Sequence, residues 1–147
     1  MTQTKEQILQ VAKDFDDVIE TRDIERILPF FANDCSIELF SLTLQGHEGA
    51  RKWFEWMFQH LAEISFVPTT IMVDGNVFFE EFIVHGKLQD GCKVQSKQAE
   101  VLVCENLLLK SLRLYFDRLD FAEAVSSSWL NRKIIQKIIK ESTKGLE

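Results

Sequence analysis

Several absences bound this chain before any motif does. It holds only three cysteines, Cys35, Cys92 and Cys104, an odd number with no C-x-x-C pair among them, so it carries no zinc or paired-thiol redox motif. Its three histidines, His47, His60 and His85, are not in metal-ligand spacing, and neither a metal site nor a cofactor is expected. No apolar run approaches the roughly 18 residues of a membrane helix, and the N-terminal residues lack the apolar stretch of a signal peptide. The expectation is therefore a soluble, reduced, cytoplasmic chain with no membrane insertion. Clustered basic residues are missing from most of the sequence and the formal net charge is -6, which argues against nucleic acid as a partner.

What is present is aromatic. Twelve Phe and three Trp accompany a single Tyr in 147 residues, of which 46% are hydrophobic, enough for one domain with a substantial core. That composition serves either dense packing or a pocket for a flat apolar molecule. Charge is unevenly distributed: residues 126–147 hold five basic and two acidic residues, a formal +3, whereas residues 1–125 hold 12 basic and 21 acidic residues, a formal -9. Such a basic tail can dock on its own domain or on a partner subunit, or lie on a membrane surface.

Thr4 and Gln7 have the spacing of a capping box, and Ile8, Val11, Ala12, Phe15, Val18 and Ile19 recur at helical spacing after them, predicting a helix over residues 5–20. Asp23 can cap a short second helix that ends around Pro29. Residues 35–40 alternate as a strand. Gly46 opens the clearest helix, in which Ala50, Trp53, Phe54, Met57, Phe58 and Leu61 share one broad face that a curved sheet could cover. Residues 66–73, 77–87, 93–104 and 107–121 read as four antiparallel strands joined by turns at Gly75, Gly91 and Asn106, with Pro68 favouring an edge or a bulge. Ser126, Ser127 and Ser128 precede a last helix carrying Leu130, Ile134, Ile135, Ile138 and Ile139. The organisation is thus a domain over 1–125 and a C-terminal amphipathic helical extension over 126–147.

Three local patterns then matter in combination: Phe31-Ala-Asn-Asp-Cys-Ser-Ile-Glu38 leading into the first strand, Gly46-His-Glu-Gly-Ala-Arg-Lys-Trp-Phe54 at the long helix, and Leu112-Arg-Leu-Tyr-Phe-Asp117 near the end of the sheet. With this order of elements, residues 5 to about 122 resemble the nuclear-transport-factor-2-like superfamily, which includes ketosteroid isomerases, SnoaL-like polyketide cyclases and limonene epoxide hydrolases. The resemblance implies an α+β fold: a curved, mainly antiparallel sheet wrapped around N-terminal helices into a cone, a cystatin-like α+β barrel, here with an added C-terminal helix. It also implies a pocket at the wide end for a small hydrophobic molecule and a homodimer through the convex sheet face.

The superfamily's catalytic sets do not carry over. At the positions of the epoxide hydrolases' Arg and two Asp residues stand Glu81, Ile83 and Leu114; Ile and Leu cannot move protons or orient water. At the isomerases' base and oxyanion-binding Tyr stand Leu39 and Phe15, while their protonated Asp falls near Ala99 or Glu100. For the cyclases' pocket acid and His no partner can be placed.

Strand alternation from Glu81 and Leu114 places Phe79, Ile83, His85, Leu112 and Phe116 on the same proposed wall and points Glu80 outward. Glu81, Glu100 and His85 are then the candidate catalytic groups, Glu81 and His85 lying roughly 13 Å apart along one strand and able to touch opposite ends of a ligand. Phe15, Glu38, Trp53, Phe54, Phe79, Ile83, Gln98, Leu112, Leu114 and Phe116 are the candidate ligand-binding residues. Each carboxylate also has a plainer reading as a solvated strand charge. Two functions fit: cofactor-free isomerisation, cyclisation or hydrolysis by proton transfer, or noncatalytic ligand binding or dimeric assembly.

Overall fold

The capping box forms as its spacing predicts: the Gln7 amide donates to Thr4 Oγ1 at 3.2 Å and the Thr4 amide donates to Gln7 Oε1 at 2.8 Å, which starts α1 (Lys5–Glu20). In the computed structural model, which describes residues 2–126 and 128–146, Asp23 caps α2 (Ile24–Ile27) and a single 3-10 turn over Leu28–Phe30 takes up Pro29. The chain continues through β1 (Phe31–Leu39), β2 (Leu42–Gln45), α3 (Gly46–His60), β3 (Leu61–Asp74), β4 (Val77–Leu88), β5 (Lys93–Glu105) and β6 (Leu108–Phe116). It ends in α4 (Leu119–Val125) and α5 (Trp129–Ser142).

The six strands make one sheet in the order β2-β1-β6-β5-β4-β3, antiparallel except where β1 runs parallel to β6. It is curved and unclosed, with the helices on its concave face. Pro68 is tolerated because β3 is an edge strand with a register shift between Pro68 and Thr70. Two elements went unread in the sequence. β2 is a four-residue strand, too short for a periodic signal, and the expected strand to residue 121 stops at Phe116, after which Asp117 Oδ1 accepts from the Leu119 amide at 2.9 Å and turns the chain into α4. Ser128 caps α5, its side chain accepting from the Asn131 amide, while Ser127 lies outside the described residues. No residue of α5 is buried, and among the described residues no helix is long and apolar enough to cross a membrane.

The core sits where α1 and α3 meet the sheet. Phe15 lies 5.4 Å from Phe31 and 6.4 Å from Phe54, both edge-on, and all three rings are fully buried with Phe78, Leu102, Leu109 and Leu112. The turn after α1 is tied to the end of α3 by Arg22, which donates to the carbonyls of Phe58 and Leu61 and lies over the Phe58 ring at 5.2 Å. Gly86 keeps β4 close to its neighbours, since a Cβ there would stand 2.9 Å from Val94 and 3.2 Å from Leu61.

Because Phe54 joins the rings of Phe15, Phe31, Trp53 and Phe58, Phe54→Ala opens a cavity at the helix–sheet junction. It should lower stability by about 3–5 kcal/mol in urea unfolding monitored by circular dichroism.

Candidate functional site

The β4–β5 register builds the site. Glu80 lies directly opposite Glu100, Phe82 opposite Gln98 and Val84 opposite Ser96, while Glu100 in turn faces Leu114 on β6. Directly opposed residues in an antiparallel pair share a face, so all of these point into the concave side. Along β4 the buried residues are Phe78, Glu80, Phe82, Val84, Gly86 and Leu88, and the solvent-side residues include Glu81 and His85.

This phase corrects the sequence-based placement of β4. Glu81 and His85 are exposed on the convex face, with Phe79 and Ile83 half-buried beside them, and it is Glu80 that points inward. The error is one residue, and with a side-chain period of two, one residue moves every group to the opposite face. Anchoring the strand on the hydrolase pattern put Glu81 on the wall of Leu114; in the structure the ladder Glu80–Glu100–Leu114 occupies that wall.

The helix-covered face of the sheet borders an open cavity of about 350 Å³. Phe15, Trp53, Gln98, Glu100, Leu114 and Phe116 line it, as do Trp56, Met57, His60, Phe66 and Phe82. Leu112 and Phe54 are fully buried in the core below the cavity and do not line it. Glu38 is exposed, opposite Thr43 and Arg113, in a shallow surface depression with Phe40 and Tyr115.

At the mouth, Phe40 and Phe116 meet edge-on at 4.7 Å, Arg118 sits 4.1 Å over the Phe40 ring, and Phe121 contributes the edge of α4. A hydrogen bond of 2.6 Å from Ser96 Oγ to Asp120 Oδ2 holds α4 over this opening. Only structure reveals that cover, since the sequence extended β6 through it.

The chemistry lies at the cavity floor. Asp16 follows Phe15 on α1 and lines the cavity with Glu100; one oxygen from each of Asp16, Glu80 and Glu100 lies within 4.8 Å of the others. Glu80 is 2% exposed and Glu100 6%, and no described basic side chain pairs with any of the three. Burial, then the charges of Glu80, Glu20 and Asp17, push Asp16 up to about 8. Burial pushes Glu80 up to about 7, and burial followed by the charges of Asp16 and Glu80 holds Glu100 well above the usual carboxylate range. Carboxyls this close share their protons as a unit. They are also the described groups placed closely enough to ligate a metal ion together, a possibility that histidine spacing gave no sign of. Asp16 was missed because its neighbour Phe15 already satisfied the helix's apolar pattern. Its position one residue along, on the flank of the buried stripe, was the available signal.

The comparisons with known proteins agree with this architecture. The family model described as a SnoaL-like domain matches residues 12–107. No curated protein matches the sequence. Among solved structures, an NTF2-like protein of unknown function from Burkholderia pseudomallei is 16% identical with a TM-score of 0.75, covering 82% of this chain and 98% of its own. A putative SnoaL-like polyketide cyclase from Jannaschia is 12% identical with a TM-score of 0.75, covering 87% and 99%. The epoxide hydrolase/cyclase-like enzyme SalBIII, described for pyran ring formation in the polyether salinomycin, is 14% identical with a TM-score of 0.71, covering 79% and 95%. At these identities the likeness speaks to fold alone.

A carboxyl whose proton is held more tightly in the folded than in the unfolded chain adds stability at low pH that is lost as pH rises through its folded pKa. For Asp16 and Glu80 the loss runs from about pH 4, where the unfolded carboxyls ionise, to about pH 8. The melting temperature should fall across that window, and Glu80→Gln should flatten the fall and raise the value at pH 8 by about 3–5 °C for each kcal/mol of repulsion removed, measured by scanning calorimetry.

Proposed function

The chain belongs to the SnoaL-like domain family, and we propose that it binds a small hydrophobic molecule in the cone and acts on it by cofactor-free proton transfer, as an isomerase, cyclase or hydrolase. The observation that carries this reading is an aromatic-walled cavity whose floor exposes Asp16 and Glu100, with Glu80 behind them. General acid–base groups work best with pKa values near the operating pH, and burial moves Asp16 and Glu80 to that range. Three mutually repelling carboxyls retain protons on some members and lose them on others, so the cluster supplies a donor and an acceptor side by side. Asp16 and Glu100 take these roles in place of Glu81 and His85, which the convex face keeps away from any ligand in the cavity. Likeness in fold to a putative polyketide cyclase and to an epoxide hydrolase/cyclase-like enzyme supports the reaction class.

The test uses small apolar ketones and epoxides in D2O, with deuterium uptake beside the carbonyl and new products followed by mass spectrometry. Exchange or conversion above the solvent rate is expected, reduced about 100-fold by Glu100→Gln and unchanged by Glu81→Gln. Ligands that bind without exchange or conversion would leave a noncatalytic binding module.

A second reading concerns assembly, with residues 126–147 as an extension of a cone domain over 1–125. On the convex face, Met72 stands opposite Phe79 and Phe79 opposite Val101, while Ala99 stands opposite Tyr115. Met72 is 57% exposed and Tyr115 56%, and with Phe79, Val101 and Ala99 they form an apolar patch, bordered by Arg113 opposite Val101 and Glu81 opposite Ala99, that suits pairing with a second copy. A homodimer through this face is expected, and Phe79→Glu should halve the mass measured by light scattering; an unchanged mass would remove the sheet face from the interface.

A further inference from the structure

Among the described residues the carboxyl cluster has no ion-pair partner. Glu80 and Glu100 are directly opposed across two strands, an arrangement of like groups that destabilises a sheet, and Asp16 adds a third from the helix above. The ion pairs found among the described residues all lie elsewhere, on exposed or half-buried groups. Glu80 and Glu100 are more than nine-tenths buried, and neither has a side-chain hydrogen bond to any described residue. Glu100 nevertheless lines the cavity, so its open acceptor capacity is turned toward whatever occupies that space.

We propose that the ligand of this cavity carries a basic nitrogen, bound as an ammonium against Asp16 and Glu100, with Glu80 behind them and its hydrocarbon part on the aromatic wall. This inference rests on the cavity being the ligand site and names the class of molecule it takes. A neutral hydrocarbon offers no donor to the Asp16 and Glu100 carboxyls that line the cavity, and an anion is repelled. An organic ammonium satisfies both parts of the site at once. Its N–H groups donate to the carboxylates as charge-assisted hydrogen bonds, and Phe15, Trp53, Trp56 and Phe82 supply ring faces that attract a cation and cover an apolar body. A bare metal ion fits less well, because three carboxylates leave most of its coordination positions to water and the rest of the wall is apolar. The volume of about 350 Å³ lies at the small end of ligand sites, roughly 300–1,000 Å³, and suits a compact amine.

Proton accounting gives the proposal a signature. The charged or titratable groups around the floor are Asp16, Asp17 and Glu20 on α1, Glu80 on β4 and Glu100 on β5, with His60 at the end of α3 and Arg118 at the mouth. Near neutral pH the cluster holds protons, and an ammonium displaces them as the carboxylates take up its charge. The amine thereby generates the carboxylate base in the complex.

Calorimetry with cyclohexylmethylamine, benzylamine and 2-phenylethylamine, each against its neutral alcohol isostere, tests this at pH 6 and pH 8 in two buffers of different ionisation enthalpy. At least one amine is expected to bind ten-fold or more tighter than its alcohol at pH 8, to release protons, and to weaken ten-fold or more at pH 6. The Asp16→Asn/Glu100→Gln double variant should bring amine and alcohol within about two-fold while keeping alcohol binding. Alcohols that bind as tightly as amines without proton release would overturn the amine while leaving the cavity a ligand site. Failure of both series, with Phe82→Trp binding neither, would overturn the amine and the ligand site together. Tight Mn²⁺ binding that Glu80→Gln abolishes, with no amine bound, would assign the cluster to a metal instead.

Discussion

The seating of α1 in the concave face of the sheet, through Phe15 against Phe31 and Phe54, is the contact on which the rest depends. It closes the narrow end of the cone with rings that exclude water, and it places the next residue, Asp16, at the floor of the open end. Core and site are therefore served by adjacent residues of one helix. Arg22 and Glu20 extend the same seating at the helix end, one reaching carbonyls at the end of α3 and the other accepting from the Phe66 amide at 3.2 Å.

This coupling explains how the fold tolerates an unfavourable cluster. Two glutamates facing each other across strands and an aspartate above them oppose folding whenever they ionise, and burial raises that opposition. The surrounding aromatic packing over-determines their positions, so burial, with mutual repulsion second at Asp16 and Glu100, is retained as raised pKa values in place of a local rearrangement. Groups held that way are ready to exchange protons with a ligand, which is the property the proposed reaction needs. The family's shape is kept; Asp16 and Glu80 stand outside the catalytic sets its better-known members would suggest, and Glu100 stands at or beside the position of the isomerases' protonated Asp.

Much of the fold was legible because its signals are local and redundant. The capping box, the helical stripe from Ile8 to Ile19, the aromatic stripe of α3 and the turns at Gly75, Gly91 and Asn106 each rest on neighbours in the chain. The site was legible only in part. Gln98, Glu100, Leu114 and Phe116 were placed on the cavity wall, and the structure puts them there, whereas Glu81, His85, Phe79 and Ile83 were placed one residue out of phase. β4 reads Val-Phe-Phe-Glu-Glu-Phe-Ile-Val, with an apolar residue or a glutamate available to either face, so the sequence offers no contrast from which to choose.

By itself, then, the sequence determined the order of most helices and strands, β2 and α4 excepted, the turns between most of them, the aromatic core and the apolar character of any pocket, because those follow from capping, periodicity and backbone conformation within a few residues. Tertiary structure alone decided which glutamate of the Glu80–Glu81 pair faces inward, that Asp16 meets Glu80 and Glu100, and that α4 covers the mouth. Those outcomes depend on cross-strand register and on the seating of a helix far away in sequence, and a one-residue change in either reverses them.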